Sequence, residues 1–145
     1  ADALGVDFFY IRPRAKKHGL KRTIEGLSVS EGEDVAPFRL HDRETPRTVI
    51  LIEDLFSTGA SAERAARTLI DAGADVPVCY AIFSYQFAEL EERFRSLPQR
   101  CRPVPIVTLA DIVECAVEDH QFDNDERALI DDWKRDPFGW QERHA

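Results

Sequence analysis

The stretch from Val49 to Ser61 limits the possible folds more than any other part of the chain. It begins with an apolar run, Val49 to Ile52, without polar alternation, a pattern typical of a strand covered on both faces of a parallel sheet. Two acids, Glu53 and Asp54, follow, and we expect the strand to end there. Small and hydroxyl-bearing residues then precede a helix, whose free N–H groups and dipole favour an anion. This order predicts a ligand site at the carboxyl end of a parallel strand.

Strand and helix patterns alternate after this stretch. Apolar residues at helical spacing from Ala62 to Ile70 predict an amphipathic helix that ends at Gly73. Val76 to Phe83 and Val104 to Val107 predict further strands, and Thr108 is the expected cap of the next helix. Other helical patterns cover residues 87–97 and 109–117, and residues 125–140 predict a last helix through Trp133 followed by a turn at Pro137. The alternation predicts one α/β domain, residues 1–145, with a mainly parallel sheet flanked by helices.

The first third of the chain carries a concentrated basic segment. Val6 to Ile11 is rich in β-branched and aromatic residues and predicts a strand. Arg12 to Arg22 holds six of the 19 Lys and Arg residues and contains Pro and Gly, which indicates an exposed loop. Thr23 to Gly26 is a candidate strand that returns to the sheet, and residues 28–47 predict a long polar surface connection.

The composition argues against several classes of protein. The formal net charge of −8 disfavours nucleic acids and acidic membranes as partners, since both are anionic. No apolar run is long enough to span a bilayer. Three cysteines without C-x-x-C spacing predict neither a disulfide framework nor a zinc site, and they fit a reducing cytoplasm. The chain lacks methionine and begins at Ala1, so we expect it to be part of a longer protein.

The two acids and the turn after them have complementary chemistry. An arbitrary Glu-Asp pair more often caps a helix and faces solvent. Here the carboxylates, which accept hydrogen bonds from vicinal hydroxyls, lie beside Ser57 to Ser61, which offers donors for a phosphate. Hydroxyls and a phosphate together describe a ribose 5-phosphate. Neither a G-x-x-x-x-G-K-[ST] loop nor a G-x-G-x-x-G fingerprint is present.

The basic loop permits three interpretations. The first is a solvated surface loop, and the second is a nucleic-acid patch, which the negative net charge of the protein disfavours. The third is a cationic loop that stabilises a polyphosphate leaving group, with His18 as proton donor. The residues alone leave this choice open. The acidic segment 118–126 matches no metal-site spacing, so we predict no metal site built by the protein alone.

Two separate stretches resemble one family. Val49 to Ser61 is similar to the phosphoribosyl-pyrophosphate (PRPP) binding motif of type I phosphoribosyltransferases. Tyr10 to Gly19, with Ile24-Glu25-Gly26 after it, resembles the catalytic loop of orotate phosphoribosyltransferases, and residues 133–137 resemble a subgroup of them. The resemblance covers nearly the whole chain and implies the Rossmann-like core of the type I family. The family's N-terminal part, with its hood and first core strand, has no counterpart in this sequence.

The resemblance implies roles for individual residues. Glu53 and Asp54 would hold the ribose hydroxyls of PRPP. Arg12, Lys16 and His18 would bind pyrophosphate. Ser57 also matches a hydroxyl position that contacts orotate. The implied catalytic residues are Lys16, His18 and Asp54. The implied substrate-binding residues are Arg12, Lys16, His18, Glu53, Asp54, Leu55, Phe56, Ser57, Thr58, Gly59, Ala60, Ser61 and Tyr85.

Three positions depart from the family pattern. Tyr85 stands where many members have an orotate-binding arginine, and Pro13 stands where many have a lysine. Ala60 replaces a common glycine, so the turn must tolerate a Cβ there. The resemblance therefore does not identify the group that recognises the carboxylate of orotate.

The resemblance also implies a complete reaction. Orotate and PRPP would give orotidine 5′-monophosphate and pyrophosphate, in pyrimidine (UMP) biosynthesis, with Mg²⁺ bound together with PRPP. The enzyme would be a cytoplasmic homodimer whose basic loop closes over the partner subunit's active site. The alternatives are a phosphoribosyltransferase for a purine or uracil, a non-catalytic PRPP-binding regulator, and a nucleic-acid-binding module.

Overall fold

A computed structural model describes residues 1–12, 24–25 and 47–143 of the chain. The predictions for the basic loop beyond Arg12, which include Lys16 and His18, lie outside the described residues. The same holds for the predicted surface connection, apart from Arg47. Within the described ranges, no helix is long and apolar enough to cross a membrane.

The described residues form short N-terminal elements followed by alternating strands and helices. A 3₁₀ turn, Asp2–Leu4, opens the chain. The strands are β1 (Tyr10–Ile11), β2 (Ile24–Glu25), β3 (Thr48–Phe56), β4 (Asp75–Ser84) and β5 (Arg102–Thr108). The helices are α1 (Ala60–Asp71), α2 (Ala88–Arg95), α3 (Leu109–Glu118), α4 (Asn124–Arg135) and α5 (Trp140–Arg143).

The central sheet has the order β3-β4-β5, and both pairings are parallel. Helix α1 contacts β3, β4 and α2, and α2 contacts β5. Their apolar faces meet the sheet at buried residues that include Leu69, Cys79 and Phe94. The predicted α/β fold with a mainly parallel sheet flanked by helices is therefore confirmed.

The limits of β3 differ from the prediction. The strand does not end at Glu53 and Asp54 but continues to Phe56, because its ladder with β4 keeps one register from Ile50 to the Phe56–Ser84 pair. The expected cover on both faces is also wrong for the described residues. Ile50 is 59% exposed and Ile52 is 73% exposed.

The first predicted strand is shorter than expected. Only Tyr10–Ile11 is extended in a ladder, and it pairs antiparallel with Ile24–Glu25 instead of joining the three-stranded sheet. Residues 6–9 have no ladder partner among the described residues, and Phe9 packs against the core from outside the strand. The return strand predicted within residues 23–26 is confirmed for its two described residues.

Strand β5 carries two prolines at alternate positions. Pro103 lies opposite Cys79 and Pro105 lies opposite Ala81, in a ladder without an irregularity. Proline has no N–H to donate, so the residues that donate to β4 must be those between the prolines, such as Val104. The nitrogen atoms of Pro103 and Pro105 therefore face the outer edge of the sheet.

The start of α3 has the cap that the sequence predicts, Thr108. The Thr108 hydroxyl accepts from the Asp111 N–H at 3.2 Å, and Asp111 accepts from the Thr108 N–H at 2.8 Å, which completes a capping box. The Thr108 hydroxyl, which also donates to Asp111 Oδ2 at 2.7 Å, and secondly the Thr108 N–H lower the pKa of Asp111. Asp123 and Glu126 form the same arrangement at the start of α4.

Gly59 joins β3 to α1 in a conformation that favours glycine. Its φ is 79°, in the left-handed region, and it caps α1 without a side-chain hydrogen bond. A Cβ at this position would lie 2.6 Å from Leu90 Cδ1 and 3.3 Å from Leu90 Cα. The turn therefore packs directly against α2, and the absence of a Cβ at Gly59 allows this close approach.

We expect Gly59→Ala to lower the free energy of unfolding by about 2–3 kcal/mol, from left-handed backbone strain of about 1–2 kcal/mol and overpacking against Leu90. Urea unfolding measures the change. Gly5→Ala is the matched control, because Gly5 has φ 61° but nothing within 4 Å of its added Cβ. Equal losses in the two variants would show that the contact with Leu90 imposes no constraint.

Candidate active site

The structure brings most of the described candidate residues to one edge of the sheet. Glu53 and Asp54 lie near the carboxyl end of β3, and residues 57–59 form the turn into α1. Tyr85 directly follows β4, and its N–H donates to the Phe56 carbonyl at 3.0 Å. The ends of two neighbouring strands thus meet beside the turn, as ligand sites in parallel sheets require.

The two acids occupy different environments. Glu53 is half-buried and shares a face of the sheet with its register partner Ala81, which belongs to the core. Asp54 is exposed, and strand alternation points it to the opposite face. Burial, and secondly the charge of Asp54, raise the pKa of Glu53. Asp54 is therefore the carboxylate that is freely available to a ligand.

The start of α1 is arranged to accept an anion. Its cap, Gly59, provides no side-chain acceptor, so the first N–H groups of the helix have no side-chain cap partner. The hydroxyl groups of Ser57, Thr58 and Ser61 lie in the same short segment. The positive end of the helix dipole adds to this preference for negative charge.

The acid in the first turn of α1 is neutralised by two arginines. Glu63 accepts from Arg67 at 2.8 Å and lies 3.9 Å from Arg93. Its carboxylate is largely buried in this contact, with 18% of the side chain exposed. The repulsion that Glu63 would exert on an anion at the helix start is therefore reduced.

Two of the predicted binding residues play different structural roles. The Phe56 ring is fully buried and packs edge-on against Phe94, with ring centroids 6.0 Å apart. It is a core residue without exposed surface, and its carbonyl already accepts from the Tyr85 N–H. Arg12, at the end of β1, donates to the Tyr10 hydroxyl at 3.1 Å and lies over the Tyr10 ring. Leu55 is partly exposed.

Tyr85 belongs to an aromatic cluster that the sequence does not reveal. Its ring stacks on Phe87 at a centroid distance of 5.4 Å and meets Trp133 edge-on at 5.6 Å. The next residue of α4, Lys134, donates from Nζ to Gln86 Oε1 at 3.3 Å. Residues 133–137 carry a family resemblance in the sequence, but that resemblance predicts neither this contact nor a role for Lys134.

In the part of the chain that the structure describes, no group of three or more His, Cys, Asp or Glu residues could hold a metal ion. Asp54 and Glu53 lie three and four residues before Ser57, which begins the anion-binding turn. One or two carboxylate oxygens suit a Mg²⁺ ion that is bound mainly by substrate phosphates.

Comparison with known proteins gives consistent relatives. No family model matches the chain. An orotate phosphoribosyltransferase of Bacteroides thetaiotaomicron is 30% identical over 97% of this chain, and one of Coxiella burnetii is 31% identical over 97%. One from Streptococcus agalactiae is 33% identical over the same share. The chain spans 58% or 59% of the length of these curated relatives.

A solved structure supports the fold independently. The UMP synthase of Leishmania donovani superimposes on 92% of this chain and 25% of its own, with a TM-score of 0.59 and 18% sequence identity. At this identity the likeness concerns the fold alone, and it agrees with the α/β fold described above. The sequence relatives confirm the resemblance of this chain to the orotate phosphoribosyltransferases along nearly its whole length.

Proposed function

We propose that the protein transfers the phosphoribosyl group of PRPP to orotate, giving orotidine 5′-monophosphate and pyrophosphate in pyrimidine biosynthesis. The observation that carries the proposal is the junction of β3 and α1, where an exposed carboxylate and an anion-binding helix start lie within one short segment. The named relatives, matched over 97% of the chain, supply the choice of orotate as the base.

Different described residues would bind the ribose and its 5-phosphate. Asp54 would accept hydrogen bonds from the ribose hydroxyls, since it is exposed near the end of β3. The first N–H groups of α1 and the hydroxyls of Ser57, Thr58 and Ser61 would donate to the 5-phosphate. Holding both ends of the ribose fixes C1 relative to the bound base, which lowers the entropic part of the barrier.

The transfer itself needs little covalent participation by the protein. N1 of orotate forms a bond to C1 and releases its proton, while the bond from C1 to the pyrophosphate oxygen breaks and its electron pair leaves with pyrophosphate. Positive charge develops on the ribose and negative charge on the leaving group. Lys16 and His18, in the basic loop, would stabilise the leaving group, as the family resemblance implies.

Mg²⁺ fits the donors at this edge. The exposed Asp54 offers a hard oxygen ligand, and the diphosphate would supply most of the others. When bound, the ion neutralises part of the diphosphate charge.

We propose in addition that the protein is a homodimer, with the basic loop acting in the partner subunit's site, and that it is cytoplasmic. The family resemblance supports the dimer, and the cysteine pattern supports the compartment.

The first test is consumption of orotate. We expect the absorbance of orotate to fall when the protein is mixed with PRPP and Mg²⁺, and pyrophosphate to appear in equal amount. Turnover of a purine or uracil without orotate consumption would identify a different phosphoribosyltransferase. Binding of PRPP without any turnover would identify a regulator, and salt-sensitive RNA binding that survives Asp54→Asn would identify a nucleic-acid module.

A second test concerns Asp54. We expect Asp54→Asn to weaken PRPP binding about 10- to 100-fold, since hydrogen bonds to a charged group contribute about 1.5–3 kcal/mol. Titration calorimetry with PRPP and Mg²⁺ measures this. Asp75→Asn is the control, because Asp75 lies at the opposite end of the neighbouring strand. If both variants bind PRPP as the original protein does, Asp54 does not hold the ribose.

We expect a substitution of Glu53 to change stability and PRPP binding in opposite directions. Burial and Asp54 raise its pKa, so ionised Glu53 lowers the stability of the folded state. We expect Glu53→Gln to raise Tm at neutral pH and to weaken PRPP binding. The gain in Tm should vanish as the pH falls through the raised pKa toward the ordinary value of 4.5, where Glu53 is itself neutral. A gain independent of pH would exclude ionisation as its cause.

The shared site of the proposed dimer is tested by complementation. Lys16→Ala and Asp54→Asn should each be inactive alone, because one removes the loop cation and the other the ribose ligand. Mixing them should restore part of the activity, since a mixed dimer keeps one intact site. Size-exclusion chromatography checks that both variants form dimers. Mixed dimers without recovered turnover would show that each site is built from one chain.

A further inference from the structure

Orotate differs from the other pyrimidine bases by a carboxylate, which needs a cationic or hydrogen-bonding partner. Tyr85 offers no positive charge at the position where the family resemblance leads one to expect an arginine. A lysine of α4 contacts the residue next to Tyr85. Lys134 Nζ lies 3.3 Å from Gln86 Oε1, and Gln86 directly follows Tyr85.

Two contacts place Lys134 at the same edge as the anion-binding turn. The Tyr85 N–H donates to the carbonyl of Phe56 at 3.0 Å, and Phe56 directly precedes Ser57. Trp133, the neighbour of Lys134 in α4, meets the Tyr85 ring at 5.6 Å and Phe87 at 5.8 Å. The aromatic cluster therefore fixes the end of α4 against the loop that follows β4.

The charge of Lys134 is not consumed by an acid. Among the described residues, no carboxylate oxygen lies within 4.0 Å of its ammonium group, and its hydrogen bond goes to a neutral amide. The two arginines that follow Lys134 in the described chain differ in this respect. Arg135 lies 3.9 Å from Asp132, and Arg143 lies 2.9 Å from Asp136.

Gln86 is itself held in an unusual backbone conformation. Its φ is 59°, a left-handed value that costs energy in a residue with a Cβ, and its N–H donates to the buried Ser84 Oγ at 3.0 Å. Such strain persists only where the surrounding structure imposes it. Here it fixes the residue that holds the ammonium group of Lys134.

We propose that Lys134 binds the carboxylate of orotate and thereby sets the specificity of the enzyme for this base. The inference rests on the phosphoribosyl transfer proposed above. A purely structural explanation also exists, because a cation in the last turn of a helix stabilises the helix dipole. The two explanations differ in their consequences for ligands that have or lack a carboxylate.

The test uses two nucleotides that differ only in this group. Orotidine 5′-monophosphate carries the carboxylate and uridine 5′-monophosphate does not. By calorimetry, we expect Lys134→Gln to weaken binding of orotidine 5′-monophosphate about tenfold or more, as for a lost charged hydrogen bond, and to leave uridine 5′-monophosphate unchanged. Lys134→Arg keeps the charge and should retain most of the preference.

Kinetics provides a second readout. Lys134→Gln should raise the KM for orotate while the KM for PRPP stays constant. Arg135→Gln is the matched control, since it removes a neighbouring cation from the same helical turn, where Arg135 is exposed. Thermal unfolding of the two variants compares their effects on α4, and a purely structural role would give a change in Tm without a change in nucleotide preference.

The outcomes separate the inference from the function on which it rests. If Lys134→Gln keeps the full preference for orotidine 5′-monophosphate, or if the original protein has no such preference, the role of Lys134 is overturned while phosphoribosyl transfer stands. If the original protein binds neither nucleotide nor PRPP, the proposed function itself is overturned.

Discussion

The candidate site depends on the parallel pairing of β3 with β4 up to the last residues of both strands. The pairing ends at Phe56 and Ser84, and the Tyr85 N–H extends it by one more bond to the Phe56 carbonyl. A shorter ladder would free the turn after β3 from the loop after β4. Because the ladder reaches the last residue of both strands, backbone hydrogen bonds bring the turn after β3 next to the loop after β4. No contact between their side chains is required.

Electrostatic separation is the second condition for the proposed chemistry. Negative charge is needed for the ribose hydroxyls and positive potential for the phosphate, within a few residues of each other. The chain separates them by burying Glu53 partly, exposing Asp54, and pairing Glu63 with two arginines. The overall acidity of the protein is thus compatible with a local preference for an anion.

The sequence allowed the existence and order of the main elements to be predicted, because apolar periodicity and capping residues such as Thr108 are local signals. The end of β3 was not predictable in this way, since its ladder with β4 decides that Glu53 and Asp54 stay within the strand. The contact between Lys134 and Gln86 joins positions 48 residues apart. It follows from packing of the aromatic cluster, which has no local pattern.

The two prolines of β5 make the sheet asymmetric. With Pro103 and Pro105 facing outward, the outer edge of β5 lacks two of the donors that an added strand would need, as is common at protected sheet edges. Strand β3 contains no proline between Thr48 and Phe56. Growth of the sheet by main-chain hydrogen bonding is therefore disfavoured at one end, which protects β5 from edge-to-edge aggregation during folding.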